Sequence, residues 1–343
     1  MSEPAVSVDV YARTDLGRTR EHNEDAFLVA DLTSGKSTLH SESTACPVGP
    51  RGLLLLVADG MGGAAAGELA SAMAADLIFG HLVGTWSKEP AGETNEDRFI
   101  LRLREAVELA NLQIHTYARE HPEVRGMGTT ATVAGVLGDG LYLAQVGDSR
   151  AYVIRGGRAV QITKDQSLTQ RLVDAGELTE EEAEASARRN IILQALGPDP
   201  RIRVDLSIQE LRRGDLLVLC SDGLSGQVKR DEIATMANRE RNLEQLGSEL
   251  IELANTRGGP DNITVVLARF DGTGLREPDG TTDPGYQSYD DDEEEAPETS
   301  PPPPAPPAPA APPERRTGTP LGLAFFVAGV ILVLLAVFLA VMG

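Results

Sequence analysis

The chain has 343 residues, with 31 Lys+Arg against 52 Asp+Glu, a formal charge of −21, two cysteines and 4% aromatic residues. So acidic a chain lacks the clustered cations that nucleic acid requires, and its few aromatics form no stacking platform for single strands. Two cysteines exclude a disulfide framework and a Cys-rich zinc module; they fit a reducing compartment and leave only a Cys46–Cys220 pairing open.

In chain order, strand-like runs are expected over residues 6–12, 26–30 and 53–58. Helical periodicity follows over 64–83 and 98–120. Residues 129–162 read as a meander: Gly138-Asp139-Gly140 breaks strands 129–136 and 141–146, and Gly156-Gly157 breaks 151–154 and 158–162. Helices at 167–175 and 179–187, strands at 202–208 and 215–220, helices at 230–238 and 243–255, and a strand at 263–270 complete the series. Strands and helices do not alternate one for one, so an α+β domain with helix-covered antiparallel sheets is expected rather than a doubly wound parallel sheet.

The composition changes near residue 276. Of the 52 acidic and 31 basic residues, 11 and 2 lie in 277–319, leaving 41 against 29 in residues 1–276. The six carboxylates Asp290 to Glu295 and the Pro/Ala tract Pro297 to Pro313 predict an extended, disordered linker over 277–319. Leu321 to Gly343 is 23 residues without a charge, roughly 34 Å as a helix, enough to cross a hydrocarbon core. Residues 320–343 are therefore expected to be a transmembrane tail anchor. Arg315 and Arg316 precede it and no charge follows, which predicts a single-pass membrane protein with residues 1–276 in the cytoplasm.

Two motif matches fail on context. Residues 30–37 end in Gly35-Lys36-Ser37 and loosely fit a phosphate-binding loop, but no helical period follows. Gly126-Met127-Gly128-Thr129-Thr130-Ala131 imitates a dinucleotide fingerprint, yet β-branched residues follow where a helix would have to begin.

The chemistry lies in the carboxylates. Leu53 to Asp59-Gly60, Leu143 to Gly147-Asp148 and Leu216 to Asp222-Gly223 each deliver an aspartate at the end of an apolar run, and Asp261 precedes another. Any single Asp-Gly is ordinary turn chemistry. Four at strand ends, with only Arg150 as a cation in the same motifs, suit hard divalent ions that prefer oxygen ligands. Arg20-Glu21-His22-Asn23-Glu24-Asp25 adds a guanidinium for a phosphate and two carboxylates for metal-bound waters. Paired divalent ions lower the pKa of a water suited to in-line attack on phosphorus.

Arg20 with Asn23-Glu24-Asp25, Val57-Ala58-Asp59-Gly60-Met61-Gly62-Gly63, Gly128-Thr129-Thr130, Gly147-Asp148-Ser149-Arg150, Ser221-Asp222-Gly223 and Asp261-Asn262-Ile263-Thr264 occur in an order that resembles the metal-dependent Ser/Thr protein phosphatases of type 2C, bacterial form. The resemblance spans residues 6–270. It implies a four-layer sandwich, two antiparallel sheets between helix pairs, and hydrolysis of phosphoserine and phosphothreonine in cytoplasmic proteins by a metal-activated water, with Mn²⁺ or Mg²⁺ as two ions and a position for a third. By the same resemblance Asp59 bridges both metals, Asp222 and Asp261 complete the first, and the Gly60 carbonyl serves the second. Glu24 and Asp25 hold waters, Arg20 binds the substrate phosphate, Asp148 matches the third-metal position, and Asn262 orients the last loop. Ser/Thr kinases and their substrates are the implied partners.

Two departures stand out. Met61 replaces a histidine found in some relatives as a general acid. In residues 164–197, which resemble the family's flap, Gln166 replaces a common histidine and Ser186-Ala187 a frequent His-Pro. A binding-only pseudophosphatase or phospho-adaptor at the membrane is the rival reading; such a protein would be expected to lack one of Asp59, Asp222 or Asp261, and all three are present.

Overall fold

The computed structural model describes residues 5–38, 44–90, 95–280 and 284–289. Thirteen strands are described: β1 Ser7–Asp15, β2 Asp25–Asp31, β3 Lys36–Thr38, β4 Thr44–Pro47, β5 Leu53–Met61, β6 Gly128–Thr129, β7 Ala131–Leu137, β8 Gly140–Val146, β9 Arg150–Arg155, β10 Arg158–Gln161, β11 Asp205–Glu210, β12 Leu216–Cys220 and β13 Ile263–Asp271. The helices are α1 Ala64–Thr85, α2 Asn95–Glu120, α3 Leu168–Asp174, α4 Glu180–Ala185, α5 Asp222–Ser225, α6 Arg230–Arg239 and α7 Leu243–Thr256. One sheet runs β10-β9-β12-β13-β1-β4; the other runs β11-β8-β7-β5-β2-β3, with β6 on β5.

Alternation along the strands builds the layers. In β5, Leu54, Leu56 and Ala58 enter a core with α1 and α2 residues such as Ile78, Leu82 and Leu103, while Leu53, Leu55 and Val57 face the other sheet. In β13, Val266, Ala268 and Phe270 meet them there, and Ile263, Val265 and Leu267 turn to α6 and α7. A strand apolar on both faces must be buried on both, and that makes four layers. Helix α1 is the one described helix long and apolar enough to cross a membrane, but Ala70, Ala74, Ile78 and Leu82 have 0% exposure inside this core.

The α+β expectation with two helix-flanked antiparallel sheets holds, with three corrections. The stretch 129–162 is not one meander. Strands β7 and β8 form a hairpin in one sheet, β9 and β10 a hairpin in the other, and the chain changes sheet at Gly147–Ser149. Turn residues specify each hairpin, but nothing local says which sheet receives it. Residues 38–50, in which no strand was expected, include β4, an edge strand on β1.

The third correction is that the packed chain does not stop at 276. Residues 284–289 lie along the edge of β11 through one antiparallel bridge, Ser207 to Ser288: Ile208 N donates to Gln287 O at 3.0 Å and Tyr289 N to Leu206 O at 2.9 Å. Tyr289 packs on the α1/α2 core, and its hydroxyl donates to Asp97 of α2 at 3.0 Å. Averaged over 277–319, acidic and proline residues mask two tyrosines with somewhere to go. The remainder of the expected linker and the expected membrane helix lie outside the described residues. Both cysteines are free.

Candidate metal centre

The ends of β5, β8 and β12 and the starts of β2 and β13 meet at one end of the sandwich. Register sets Asp25 directly across from Asp59 in the β2–β5 pair. Asp222 opens α5 straight after β12, and Asp261 precedes β13. The two sheets thereby face each other with carboxylates.

Glycine makes the approach possible. A Cβ on Gly60 would stand 2.3 Å from Gly67 O and 2.4 Å from Glu24 O, and one on Gly223 would stand 1.9 Å from Asn262 O. No side chain fits at either position. At Gly147 φ is +103°, which favours glycine, and the turn aims Asp148 inward, 6% exposed.

The carboxylates feel one another. Burial pushes Asp25 up to about 7, with Asp222 and Asp261 adding to the rise against hydrogen bonds from Thr264 and Ser221. Burial pushes Asp148 up to about 8, with Asp222 and Asp165 adding and Arg150 opposing. Asp59 is raised well above its ordinary value by burial, then by Asp25, Asp222, Asp148 and Asp261. Asp222 is raised by burial and Asp261, and its carboxyl is in hydrogen-bond contact with Asp59. Glu24 is raised by burial, with Arg20 opposing. Such a cluster is costly unless cations balance it. Arg20 donates to Asp261 Oδ2 at 2.7 Å, and Arg150 is committed to Asp165, with Nη2 2.7 Å from Oδ2.

Two observations test whether divalent ions fit. Asp148 Oδ1 is a buried oxygen without a hydrogen-bond partner, a donor atom with lone pairs to spare. The donor set is all oxygen, which suits Mg²⁺ or Mn²⁺ and not zinc. Among the described residues no three His, Cys, Asp or Glu side chains form a ready-made cage.

All the residues expected at this site lie here, in the arrangement just described. Arg20 holds Asp261 and keeps its side chain 48% exposed. Asn262 does more than shape its own loop. Its Oδ1 accepts from Glu24 N at 2.8 Å and its Nδ2 donates to Leu16 O and His22 O, both at 3.0 Å, so it gathers the loop carrying Arg20. Ser221 and Thr264 stood in the motifs without a role. Ser221 Oγ donates to Asp25 Oδ2 at 2.8 Å, and Thr264 Oγ1 lies 2.6 Å from the same oxygen. Thr130 Oγ1 accepts from Asp59 N at 2.9 Å, and Thr129 Oγ1 donates to Asp59 O at 3.0 Å. A hydroxyl at the polar end of an apolar strand was the available signal. The segments 30–37 and 126–131 form a hairpin turn and strands, as their context required.

Residues 42–268 match the family described as Protein phosphatase 2C. The Listeria welshimeri serine/threonine phosphatase stp is 36% identical over 255 residues, 74% of this chain and 93% of that protein. The Mycobacterium tuberculosis serine/threonine protein phosphatase PstP is 38% identical over 257 residues, 75% of this chain and 44% of that protein. Among solved structures, the PstP phosphatase superposes with a TM-score of 0.63 at 35% identity, covering 79% of this chain and 100% of that one. The PstP catalytic domain in complex with two manganese ions gives 0.61 at 35% identity, covering 78% and 99%.

Proposed function

The chain belongs to the protein phosphatase 2C family in its bacterial form and is a metal-dependent Ser/Thr protein phosphatase using Mn²⁺ or Mg²⁺; on that premise we propose which residues carry the reaction. Asp59, the Gly60 carbonyl, Asp222 and Asp261 would hold two ions, and Asp148 would serve a third position. The supporting observation is the convergence of Asp25, Asp59, Asp148, Asp222 and Asp261 from separate elements, each of the first four raised by burial and by its acidic neighbours. When bound, the ions supply positive charge at phosphorus and lower the pKa of a nearby water.

The chain's own residues do the rest. Arg20, exposed at the rim, takes two phosphate oxygens in its fork and holds the phosphorus in line. Asp25, fixed by Ser221 and Thr264, and Glu24, fixed through Asn262, orient water by accepting its protons. The hydroxyls nearest the site have structural partners: Ser221 Oγ donates to Asp25 and Ser149 Oγ lies 2.8 Å from Thr130 Oγ1, while burial pushes the Cys220 thiol up to about 12. Met61 offers no proton, so protonation of the leaving serine or threonine oxygen falls to a water held at the site or to a group other than residue 61. Release of phosphate from a phosphothreonine peptide should require Mn²⁺ or Mg²⁺ and stop in EDTA. Turnover indifferent to chelation would refute this assignment.

Residues 290–343 extend the reading by composition. We propose that the acidic and Pro/Ala stretch is a flexible spacer, that 320–343 cross the membrane, and that the catalytic domain faces the cytoplasm, acting on phosphorylated proteins there, membrane-bound Ser/Thr kinases among them. Recovery of the full chain in the soluble fraction would refute the anchor.

A further inference from the structure

Residues 164–204 leave the sandwich after β10 and return as β11. They carry α3 and α4, and α4 buries no side chain; Ile191 and Leu193 are 45% and 44% exposed. A loosely packed excursion is expected to move, yet its two ends are pinned.

At the exit, Asn111 of α2 is 1% exposed. Its Oδ1 accepts from Gly197 N at 2.8 Å and its Nδ2 donates to Asp199 O at 3.0 Å. At the entry, Arg150 grips Asp165 with Nε and Nη2, and Gln161 Nε2 reaches the same carboxylate at 2.8 Å. Gln166 leaves this fixed point and touches three parts of the fold. Its N donates to Gly147 O at 2.8 Å, and its Oε1 accepts from Gly147 N at 3.0 Å. Its O accepts from Leu193 N at 2.8 Å, and its Nε2 donates to Arg203 O at 3.1 Å. Gly147 is thus held from both sides by one residue, and Gly147 carries the peptide that presents Asp148. A Cβ at 147 would stand 2.6 Å from Thr130 Cγ2, so this peptide has no slack.

We propose that Gln166 is a positioning residue that clamps Gly147 on both of its peptides, side-chain Oε1 on Gly147 N and main-chain N on Gly147 O, and so ties the turn before Asp148 to the base of the 164–204 excursion, so that the excursion and the Asp148 carboxylate move together. An amide suits the task because it offers an acceptor to Gly147 N and a donor to Arg203 O at once, at any pH. The link rests on the reading of Asp148 as a cation ligand only for its catalytic consequence; the mechanical link stands without it.

Hydrogen exchange on the metal-free full chain tests the link directly. Gln166→Ala should speed exchange about fivefold in segment 141–150, where Gly147 N–H loses its side-chain acceptor, and freeing the Arg203 carbonyl should loosen 192–204 along with it. Gln166→His, which can again pair one ring nitrogen with each partner, should restore protection. With p-nitrophenyl phosphate, Gln166→Ala should lower kcat about tenfold with KM nearly unmoved, and should raise the Mn²⁺ concentration for half-activation. The proposal is overturned if exchange in 141–150 matches wild type, or if activity falls only in step with melting temperature and His gives no rescue. Wild-type Mn²⁺ dependence in Asp148→Asn, with the exchange effect of Gln166→Ala intact, would sink the role of Asp148 and leave the link standing.

Discussion

Replacing Asp148 by asparagine should stabilise the metal-free protein while crippling the loaded one. The Asp148 carboxyl is raised from 3.8 to about 8. At about 1.4 kcal/mol per pH unit, keeping it folded costs about 4 kcal/mol at pH 7 as an upper bound. Asparagine has no charge to bury but must still find partners beside Asp222 and Asp165, so roughly half that gain, about 2 kcal/mol, is expected. In a domain of this size that is about 4 °C in melting temperature. The pH dependence has a definite sign. A raised carboxyl binds protons more tightly in the folded state, so wild type bears the full penalty above pH 8 and loses it as pH falls towards 4. The advantage of the variant in EDTA should therefore be largest near pH 8 and vanish near pH 4. Saturating Mn²⁺ should narrow or reverse it, because ions that bind only the folded wild type stabilise it by mass action. Thermal melts at several pH values, with EDTA and with Mn²⁺, read all of this. A variant that melts at or below wild type in EDTA at pH 8 refutes the claim that uncompensated charge dominates this pocket.

Three further outcomes follow from the geometry. Gly223→Ala must push the Asn262 carbonyl off its position 1.9 Å away, shifting Asp261 relative to Asp222; kcat/KM should fall about a hundredfold, and retention of wild-type activity would contradict it. Asp215→Ala leaves Arg155, 8% exposed in its side chain, without the carboxylate that receives its Nε and Nη2 at 2.9 and 2.7 Å; denaturant unfolding should show a loss of about 3 kcal/mol, and a loss under 1 kcal/mol would count against a buried pair. A chain ending at 276 loses the segment 284–289 that bridges to β11 and bares that edge. It should melt lower than a chain ending at 290 and self-associate in light scattering; identical behaviour would make residues 284–289 dispensable.

Much of this molecule is written locally. The apolar runs ending in Asp59, Asp148 and Asp222, and the two-faced hydrophobicity of 53–58 and 263–270, determined that strands would be buried on both sides and would carry carboxylates to their ends. The glycines beside those aspartates marked where the backbone must pass closely. What the sequence left open was partnership. Whether β8 and β9 share a sheet depends on the free energy of packing entire sheets, to which Gly147 contributes only the turn. That Ser221 and Thr264 serve Asp25, that Asn262 gathers the Arg20 loop, and that Tyr289 closes the β11 edge each require residues more than 80 positions apart to touch. Such contacts are chosen by burial and hydrogen-bond satisfaction across the whole fold, and no window of local composition contains them.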